Sequence, residues 1–334
     1  MNLETSMPFF RSNPVKLFAT VLSAVSVMVA TLPSHAADWK PTRAVTLLVP
    51  YSPGGGVDAQ ARAVAEQLQQ IWGQPVIVEN APGADGVIGT RKAMSAAPDG
   101  HTLLVQLPSI TIMRHLPTYK GPDPLSQLSP ISAFSLLPAV VVANPALPGK
   151  TLPDVLKGCK TAKPGCTFGT TEIMARLLSG VLKEESALPD LVVANYKGGG
   201  QIVADLIANN VNFAIMGMTP VLPHHKVGKL KIVMTLGNKR SSAVPEVPNA
   251  MESGLPSFNI GTWYGLFAPK GTPADVVQGI SAAVAHAVRS DGVRKAFGAV
   301  AADPLGNSPA EFAEMVKAEN DRYAGLAKRF PIEQ

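Results

Sequence analysis

The chain has 334 residues, of which 46% are hydrophobic and 16% charged, and its net charge at pH 7 is +5. This length is enough to bury a sizeable core, in one large domain or in two lobes. Lys and Arg do not form a long run interleaved with aromatic residues, which argues against nucleic acid as a partner. Glycines and prolines are scattered between apolar runs, a pattern that favours many turns over disorder.

The N-terminal segment, residues 1–36, has the pattern of a secretory signal peptide. Arg11 and Lys16 precede an apolar run at residues 17–32, and small residues lead to a predicted cleavage site after Ala36. The run is shorter than the ~20 residues of a membrane-spanning helix, which disfavours a retained anchor. Cleavage would remove two cations and one anion and lower the net charge from +5 to +4. We therefore expect export to the periplasm.

Alternating strand and helix patterns predict an α/β fold. Residues 45–49 form an apolar run typical of a buried strand, a glycine-rich turn follows, and residues 59–72 have an apolar stripe at helical spacing. Further strands are predicted at 75–78, 101–106, 139–143, 191–195, 213–216 and 232–236, and further helices at 171–183, 200–209, 275–289, 291–296 and 309–330. This alternation indicates mainly parallel sheets covered by helices.

The turn at Gly54, Gly55 and Gly56 can bind an anion in principle, because a helix N-terminus presents free N–H groups. Gly54-x-Gly56-x-x-Ala59 also matches a dinucleotide fingerprint, with Glu79 where a ribose-binding acid would lie. Export and the negative charge of Asp58 argue against that alternative. Asp58 itself is either a helix cap alone or a cap that also contacts ligand.

Two cysteines, Cys159 and Cys166, lie close together in the sequence. In an oxidising compartment such a pair most often forms a disulfide, and the spacing differs from the Cys-x-x-Cys motif of redox and zinc sites. His224 and His225 are adjacent, so their side chains diverge on regular structure. We therefore expect a structural disulfide and no metal site.

Several stretches together resemble the substrate-binding proteins of tripartite tricarboxylate transporters, the Bug family. They follow one another through nearly the whole exported chain. They are VTLLVPYSPGGGVDAQAR at 45–62, GQPVIVENAPGADGVIGT at 73–90, APDGHTLLV at 97–105, YKGGGQIVADLIANNVNFAI at 196–215, and residues 228–273. The ordered set outweighs the dinucleotide alternative.

The resemblance implies a two-lobed periplasmic-binding-protein (Venus-flytrap) architecture, in which each lobe is a mainly parallel sheet flanked by helices. Lobe one would comprise residues 38–135 and 262–334, and lobe two residues 136–261. The C-terminal helices would pack back on lobe one. Ligand docking on one lobe would be followed by hinge closure that excludes water.

The resemblance also implies a carboxylate ligand held by backbone N–H groups, hydroxyls and water, with no cofactor and no catalytic residue. Ligands in such sheets bind beyond the carboxyl ends of the strands. The site residues expected on lobe one are Tyr51, Gly54, Gly55, Gly56, Asp58, Pro108 and Ser109, with a further hydroxyl from Thr111. Those expected on lobe two are Thr170, Thr171, Tyr196, Gly198 and Gly199. Ser109 and Thr171 could equally be a turn residue and a helix cap.

The chain departs from the family pattern at two places. Residues 106–110 read QLPSI, more apolar than usual, and the loop at 168–172 is short and contains Glu172. Leu107, Pro108 and Ile110 motivate the hypothesis that the pocket is less polar than usual and admits a carboxylate with an apolar or aromatic body. The resemblance itself implies carboxylate ligands that are often dicarboxylates.

The expected function is a monomeric receptor that delivers its ligand to the permease subunits of a tripartite tricarboxylate-type transporter. Two alternatives stay open. The chain could present ligand to a signalling membrane protein, or it could be an exported enzyme. An enzyme would require a nucleophile–base pair or a metal cluster, and the sequence indicates neither.

Overall fold

The computed structural model describes residues 1, 39–116, 119–162, 165–170, 173–196, 199–237, 239–241, 243–259 and 261–330, with residues 173–176 described by their backbone alone. The predicted signal peptide lies outside this range. The residues discussed below belong to one compact unit. Among the helices that the structure describes, none is long and apolar enough to cross a membrane.

Strands and helices alternate through most of the chain. The strands are β1 (Val45–Val49), β2 (Val76–Asn80), β3 (Thr102–Gln106), β4 (Leu128–Leu137), β5 (Ala139–Ala143), β6 (Thr167–Thr170), β7 (Val192–Asn195), β8 (Phe213–Gly217), β9 (Lys231–Thr235), β10 (Thr262–Pro269) and β11 (Asp303–Pro304). The helices are α1 (Gly56–Trp72), α2 (Val87–Met94), α3 (Pro124–Gln127), α4 (Leu152–Thr161), α5 (Ile173–Glu185), α6 (Gly199–Ile207), α7 (Leu222–Lys226), α8 (Ala274–Ala287), α9 (Asp291–Gly298) and α10 (Pro309–Arg329).

The strands form two sheets, which confirms the two-lobed α/β fold class. The first sheet has the order β11-β4-β10-β3-β1-β2, and the second has the order β7-β6-β8-β5-β9. In the first sheet β2, β1 and β3 are parallel, while β10 runs against both β3 and β4. In the second sheet β6 is parallel to β7 and β8, and β5 runs against β8 and β9.

Both sheets are covered on two faces, which explains their apolar strands. In β5, Val141 and Ala143 join one core cluster while Val140 and Val142 join the cluster on the opposite face. In β1, Leu47 packs in one core cluster and Leu48 packs in the cluster on the opposite face of the first sheet. Because successive side chains of a strand alternate between faces, a strand buried on both sides must be apolar throughout.

The connection between β4 and β5 brings the loop-bearing edges of the two sheets together. Pro138 alone separates the end of β4 from the start of β5. Leu137 lies at the edge where β1, β2 and β3 end, and Ala139 pairs with Gly217 at the end of β8. The carboxyl ends of the parallel strands of both sheets therefore face the same space, a cleft between the sheets.

Helix α10 packs against both sheets. Its first half buries Phe312 and Val316 in the cluster under the first sheet. Its second half places Tyr323 and Leu326 in a cluster of the second sheet. The C-terminal segment was expected to pack on lobe one, and this helix in addition spans the hinge.

The middle of α10 holds a carboxyl group at the hinge. Trp263, which is fully buried near the start of β10, donates from Nε1 to Glu319 Oε2 at 2.7 Å. Burial raises the pKa of Glu319 to about 8, although the Trp263 hydrogen bond and the charge of Arg322 lower it. Since this pKa lies above the value in an unfolded chain, the folded state retains a proton that the unfolded state loses.

We predict that Glu319→Gln removes a pH-dependent loss of stability. Between the ordinary Glu pKa and about 8, the wild-type free energy of unfolding should fall with rising pH by at most ~1.4 kcal/mol per unit. Glutamine keeps the acceptor for Trp263 but does not titrate. The free energy of unfolding of the variant should therefore rise relative to that of the wild type as pH rises. Urea unfolding at pH 5 and pH 8 checks this, with exposed Glu314→Gln as control. If the free energies of unfolding of wild type and Glu319→Gln changed equally between pH 5 and pH 8, the burial of this carboxyl group would be refuted.

Candidate ligand-binding cleft

Hydrogen bonds to Asp58 hold the glycine-rich turn after β1 in place. Asp58 is 3% exposed and accepts hydrogen bonds from Gly54 N at 2.9 Å, from Arg62 Nε and Nη2 at 3.0 and 2.9 Å, and from Asn80 Nδ2 at 2.9 Å. The Arg62 hydrogen bond is the main cause that lowers the Asp58 pKa to about 2. Asp58 therefore holds the turn, Gly54 N–H is used within the protein, and the expected contact of Asp58 with ligand stays a prediction.

Gly55 and Gly56 are left as the backbone donors of this turn. Gly55 is the N-cap of α1 and Gly56 its first residue, so the N–H groups here have no acceptor within the helix. A Cβ atom on Gly56 would lie 3.3 Å from Tyr264 Oη. A larger residue would press on that hydroxyl, so glycine keeps the backbone close to β10.

A polar network lies beside this turn at the ends of β1 and β3. Tyr51 Oη donates to Gln106 Oε1 at 2.6 Å and lies 3.2 Å from Ser109 Oγ. Gln106 is buried, and its Nε2 donates to Thr90 Oγ1 at 3.0 Å. A Cβ on Gly86, whose φ is +90°, would come within 3.3 Å of Tyr51 Oη. Tyr51 and Ser109 are partly exposed, so their hydroxyls can reach a bound molecule.

The apolar residues after β3 face the core, which corrects two expectations. Ile110 is 1% exposed and packs in the cluster of Trp263. Pro108 is buried at the first position of a 3₁₀ turn, and Leu107 packs against the other core cluster. Thr111 is also buried and donates to Pro108 O. Pro108 and Thr111 are therefore structural, and this segment no longer motivates an apolar ligand body.

On the second sheet, Thr170 and Tyr196 are neighbours at the strand ends. Thr170 closes β6, is 1% exposed, and accepts a hydrogen bond from Tyr196 N at 2.8 Å. Tyr196 Oη donates to Asp205 Oδ2 at 2.6 Å. Burial, then Asp205, raises the pKa of Tyr196 to about 12. The phenol thus keeps its proton at neutral pH and donates a hydrogen bond to Asp205 in the second half of α6.

Gly199 begins α6, and a Cβ there would lie 3.2 Å from Met216 Cε. This close approach brings the first turn of α6 onto β8 at the cleft. Thr171, Glu172 and Gly198 lie outside the described residues, so their roles stay predictions. Cys159 and Cys166 are joined as a disulfide that ties the end of α4 to the residue before β6.

The arrangement offers hydrogen-bond donors to a ligand. Its groups are backbone N–H donors at two helix starts and the hydroxyls of Tyr51 and Ser109. Arg62, the cation next to the turn, is paired with Asp58. Over the described ranges, no group of three or more His, Cys, Asp or Glu could hold a metal ion. Such a set can hold an anion through hydrogen bonds without an arginine clamp.

Sequence reasoning missed the polar residues that support the first-lobe loops, namely Gln106, Thr90 and Asn80. A usable signal exists for two of them. Gln106 and Asn80 are polar residues that end apolar strands, the position where an α/β sheet meets its ligand. Glu79, the acid of the dinucleotide fingerprint, instead pairs with Lys92.

Fold and cleft together define the two-lobed periplasmic binding proteins. Comparison with known families then gives a narrower result: a family model described as the tripartite tricarboxylate transporter family receptor matches residues 60–331. The chain belongs to this family of solute-binding receptors.

Three similar proteins align with most of this chain and with nearly all of their own. Protein BugT of Bordetella pertussis is 33% identical over 92% of this chain and 96% of its own. MatC from Rhodopseudomonas palustris, solved with bound malate, is 27% identical with a TM-score of 0.69 over 86% of this chain and 99% of its own. Rpa4515 of R. palustris, solved with adipate, is 26% identical with a TM-score of 0.73 over 86% and 97%.

We predict that Asp58→Asn loosens the turn and costs about 2 kcal/mol of unfolding free energy at pH 7. A lowered pKa means that the carboxylate stabilises the fold above the ordinary Asp pKa, and that this stability is lost as pH falls toward 2. The difference between wild type and variant should therefore shrink on acidification. Urea unfolding across pH 7 to 2.5 measures it, and exposed Glu66→Gln on the same helix should show little change at pH 7. A difference that does not depend on pH would contradict the ion-pair account.

Proposed function

We propose that this protein is a periplasmic receptor that binds a small carboxylate, with a dicarboxylate as the favoured class, and delivers it to the membrane permease of a tripartite transporter. The observation that carries the proposal is the pairing of backbone donors across the cleft, at Gly55 and Gly56 on one side and at the start of α6 on the other.

The comparisons support the ligand class. MatC and Rpa4515 were solved with malate and adipate, both of which are dicarboxylates, and both proteins align with almost the whole fold. Two anionic ends also suit two opposed sets of N–H donors, because each lobe can then hold one end. The Tyr196 hydroxyl is protonated at neutral pH, because its pKa is raised to about 12. The Asp58 oxygens already accept hydrogen bonds from protein groups. Neither group is therefore available to accept a proton from the ligand.

Location and partners follow from the same proposal. The predicted signal peptide at residues 1–36 supports export, and the family supports a permease partner. We propose that the exported protein acts as a monomer without enzymatic activity. N-terminal sequencing of protein from the periplasmic fraction should begin at Ala37, and bound carboxylate should be recovered unchanged after prolonged incubation.

The binding proposal is tested by thermal unfolding against a panel of mono-, di- and tricarboxylates that includes malate and adipate. The protein is first unfolded and refolded to remove carried ligand. Binding to the folded state alone stabilises by about 2.7 kcal/mol at a hundredfold excess over Kd, which raises Tm clearly. We expect dicarboxylates to give the largest rise. No rise with any carboxylate would contradict the proposal.

A paired variant locates the binding. Ser109→Ala removes a partly exposed hydroxyl at the cleft, and losing one hydrogen bond of about 1 kcal/mol should weaken the best carboxylate about fivefold. Ser126→Ala, on the exposed helix α3, is the control and should leave the affinity unchanged. Titration calorimetry measures both, and equal affinities for the two variants would place the ligand away from Ser109.

A further inference from the structure

A second cavity of about 380 Å³ lies at the hinge, away from the predicted carboxylate-binding residues. The β4–β5 connection, the end of β9, the start of β10 and the second half of α10 border it, and it is open to solvent on one side. We call it the hinge cavity, and define it by Leu136, Pro138, Thr235, Trp263, Ala318 and Arg322. Its volume falls within the range of ~300–1,000 Å³ that is usual for small-molecule sites.

One part of the hinge cavity is apolar. Leu136, Leu137 and Pro138 form one wall, and Met315 of α10 and Trp263 of β10 contribute to others. Aliphatic and aromatic side chains of this kind bury a hydrocarbon body favourably, at roughly 25 cal/mol for each Å² removed from water.

Charged groups of the hinge cavity favour an anion. Lys239, Arg240 and Arg322 line it, opposite the acids Asp303 and Glu319. Arg240 pairs with Glu252, and Arg322 donates to Asn259 O, but each guanidinium has five N–H donors and can make further bonds. Burial raises the pKa of Glu319 to about 8, so this carboxyl is mostly neutral at pH 7 and can donate a hydrogen bond. The three cations that line the hinge cavity then outnumber its one remaining anion, Asp303.

A buried hydroxyl provides an independent observation. Thr235 lines the hinge cavity at the end of β9 and is 1% exposed. Its Oγ1 is buried and has no hydrogen-bond partner among the described residues. Leaving such a group unsatisfied costs on the order of 1–3 kcal/mol, and a rotation of the Thr235 side chain toward an acceptor on a bound molecule would recover part of it.

We propose that the hinge cavity is a second binding site, separate from the cleft, for a small monocarboxylate with an apolar or aromatic body. The carboxylate would lie among Arg322, Lys239 and the Thr235 hydroxyl. The body would pack on the wall formed by Leu136 and Pro138.

The test uses the three tryptophans as internal probes. In protein labelled with ¹⁵N at tryptophan, only Trp263 lines the hinge cavity, whereas Trp39 and Trp72 pack against each other in the first sheet's core. Titration with benzoate should move the Trp263 indole N–H resonance to saturation and leave the other two in place. Benzyl alcohol, which lacks the charge, should bind at least about tenfold more weakly.

Two pairs of variants locate the site. Ala318→Phe fills the hinge cavity and should abolish the Trp263 response, whereas Ala310→Phe, exposed on the same helix but away from it, should retain the response. Lys239→Met should weaken benzoate binding about threefold, and Lys226→Met, also exposed but away from the hinge cavity, should not.

Three outcomes would overturn the proposal. The first is a Trp263 resonance that does not respond saturably to benzoate. The second is a response that persists in Ala318→Phe, because benzoate would then act from the cleft. The third is benzyl alcohol binding as tightly as benzoate. None of these depends on whether the cleft binds a dicarboxylate.

Discussion

The single residue between β4 and β5 sets the arrangement of the whole molecule. Because Pro138 is the one residue between β4 of the first sheet and β5 of the second, β5 begins next to that sheet, at the edge where Gly217 also lies. The parallel strands of each sheet end at these edges, and their loops must then meet across one cleft. Helix starts far apart in the sequence, at Gly56 and Gly199, are brought to the same space by this constraint.

Hydrogen bonds from buried and partly buried side chains tie the loops of the cleft to the sheets. Asp58 is held by three residues, Gln106 joins Tyr51 to Thr90, and Asp205 accepts from Tyr196. Loops that are held in this way before a ligand arrives lower the entropic cost of binding. Helix α10 supplies the corresponding support at the hinge, because its two halves are buried in the cores of different sheets.

Apolar periodicity allowed much of the fold to be predicted. The limits of β1 were predicted correctly. The strand at 139–143 and the long C-terminal helix were also predicted, because each has a clear pattern of buried apolar residues. The crossing strand β4 was not assigned as a strand, since polar serines interrupt its apolar residues. Helix α4 was also missed; its capping box at Thr151 and Asp154 was an available signal.

The candidate site was harder to predict, because polar residues at strand ends serve two purposes that sequence alone does not separate. Asp58 and Tyr196 were expected to contact ligand, yet their oxygens bind other protein groups. Ile110 was expected to line the pocket, but a 3₁₀ turn after β3 directs it into the core. Which side a residue faces after a strand depends on the local turn, and the turn became visible only in three dimensions.

The central claim is that backbone donors from both sheets hold one ligand. Amide hydrogen exchange with and without the carboxylate that most raises Tm tests it directly. We predict slower exchange in two segments together, residues 51–58 and the start of α6, with no change in α7. Protection of one segment alone, or of neither, would contradict a ligand held between the two sheets.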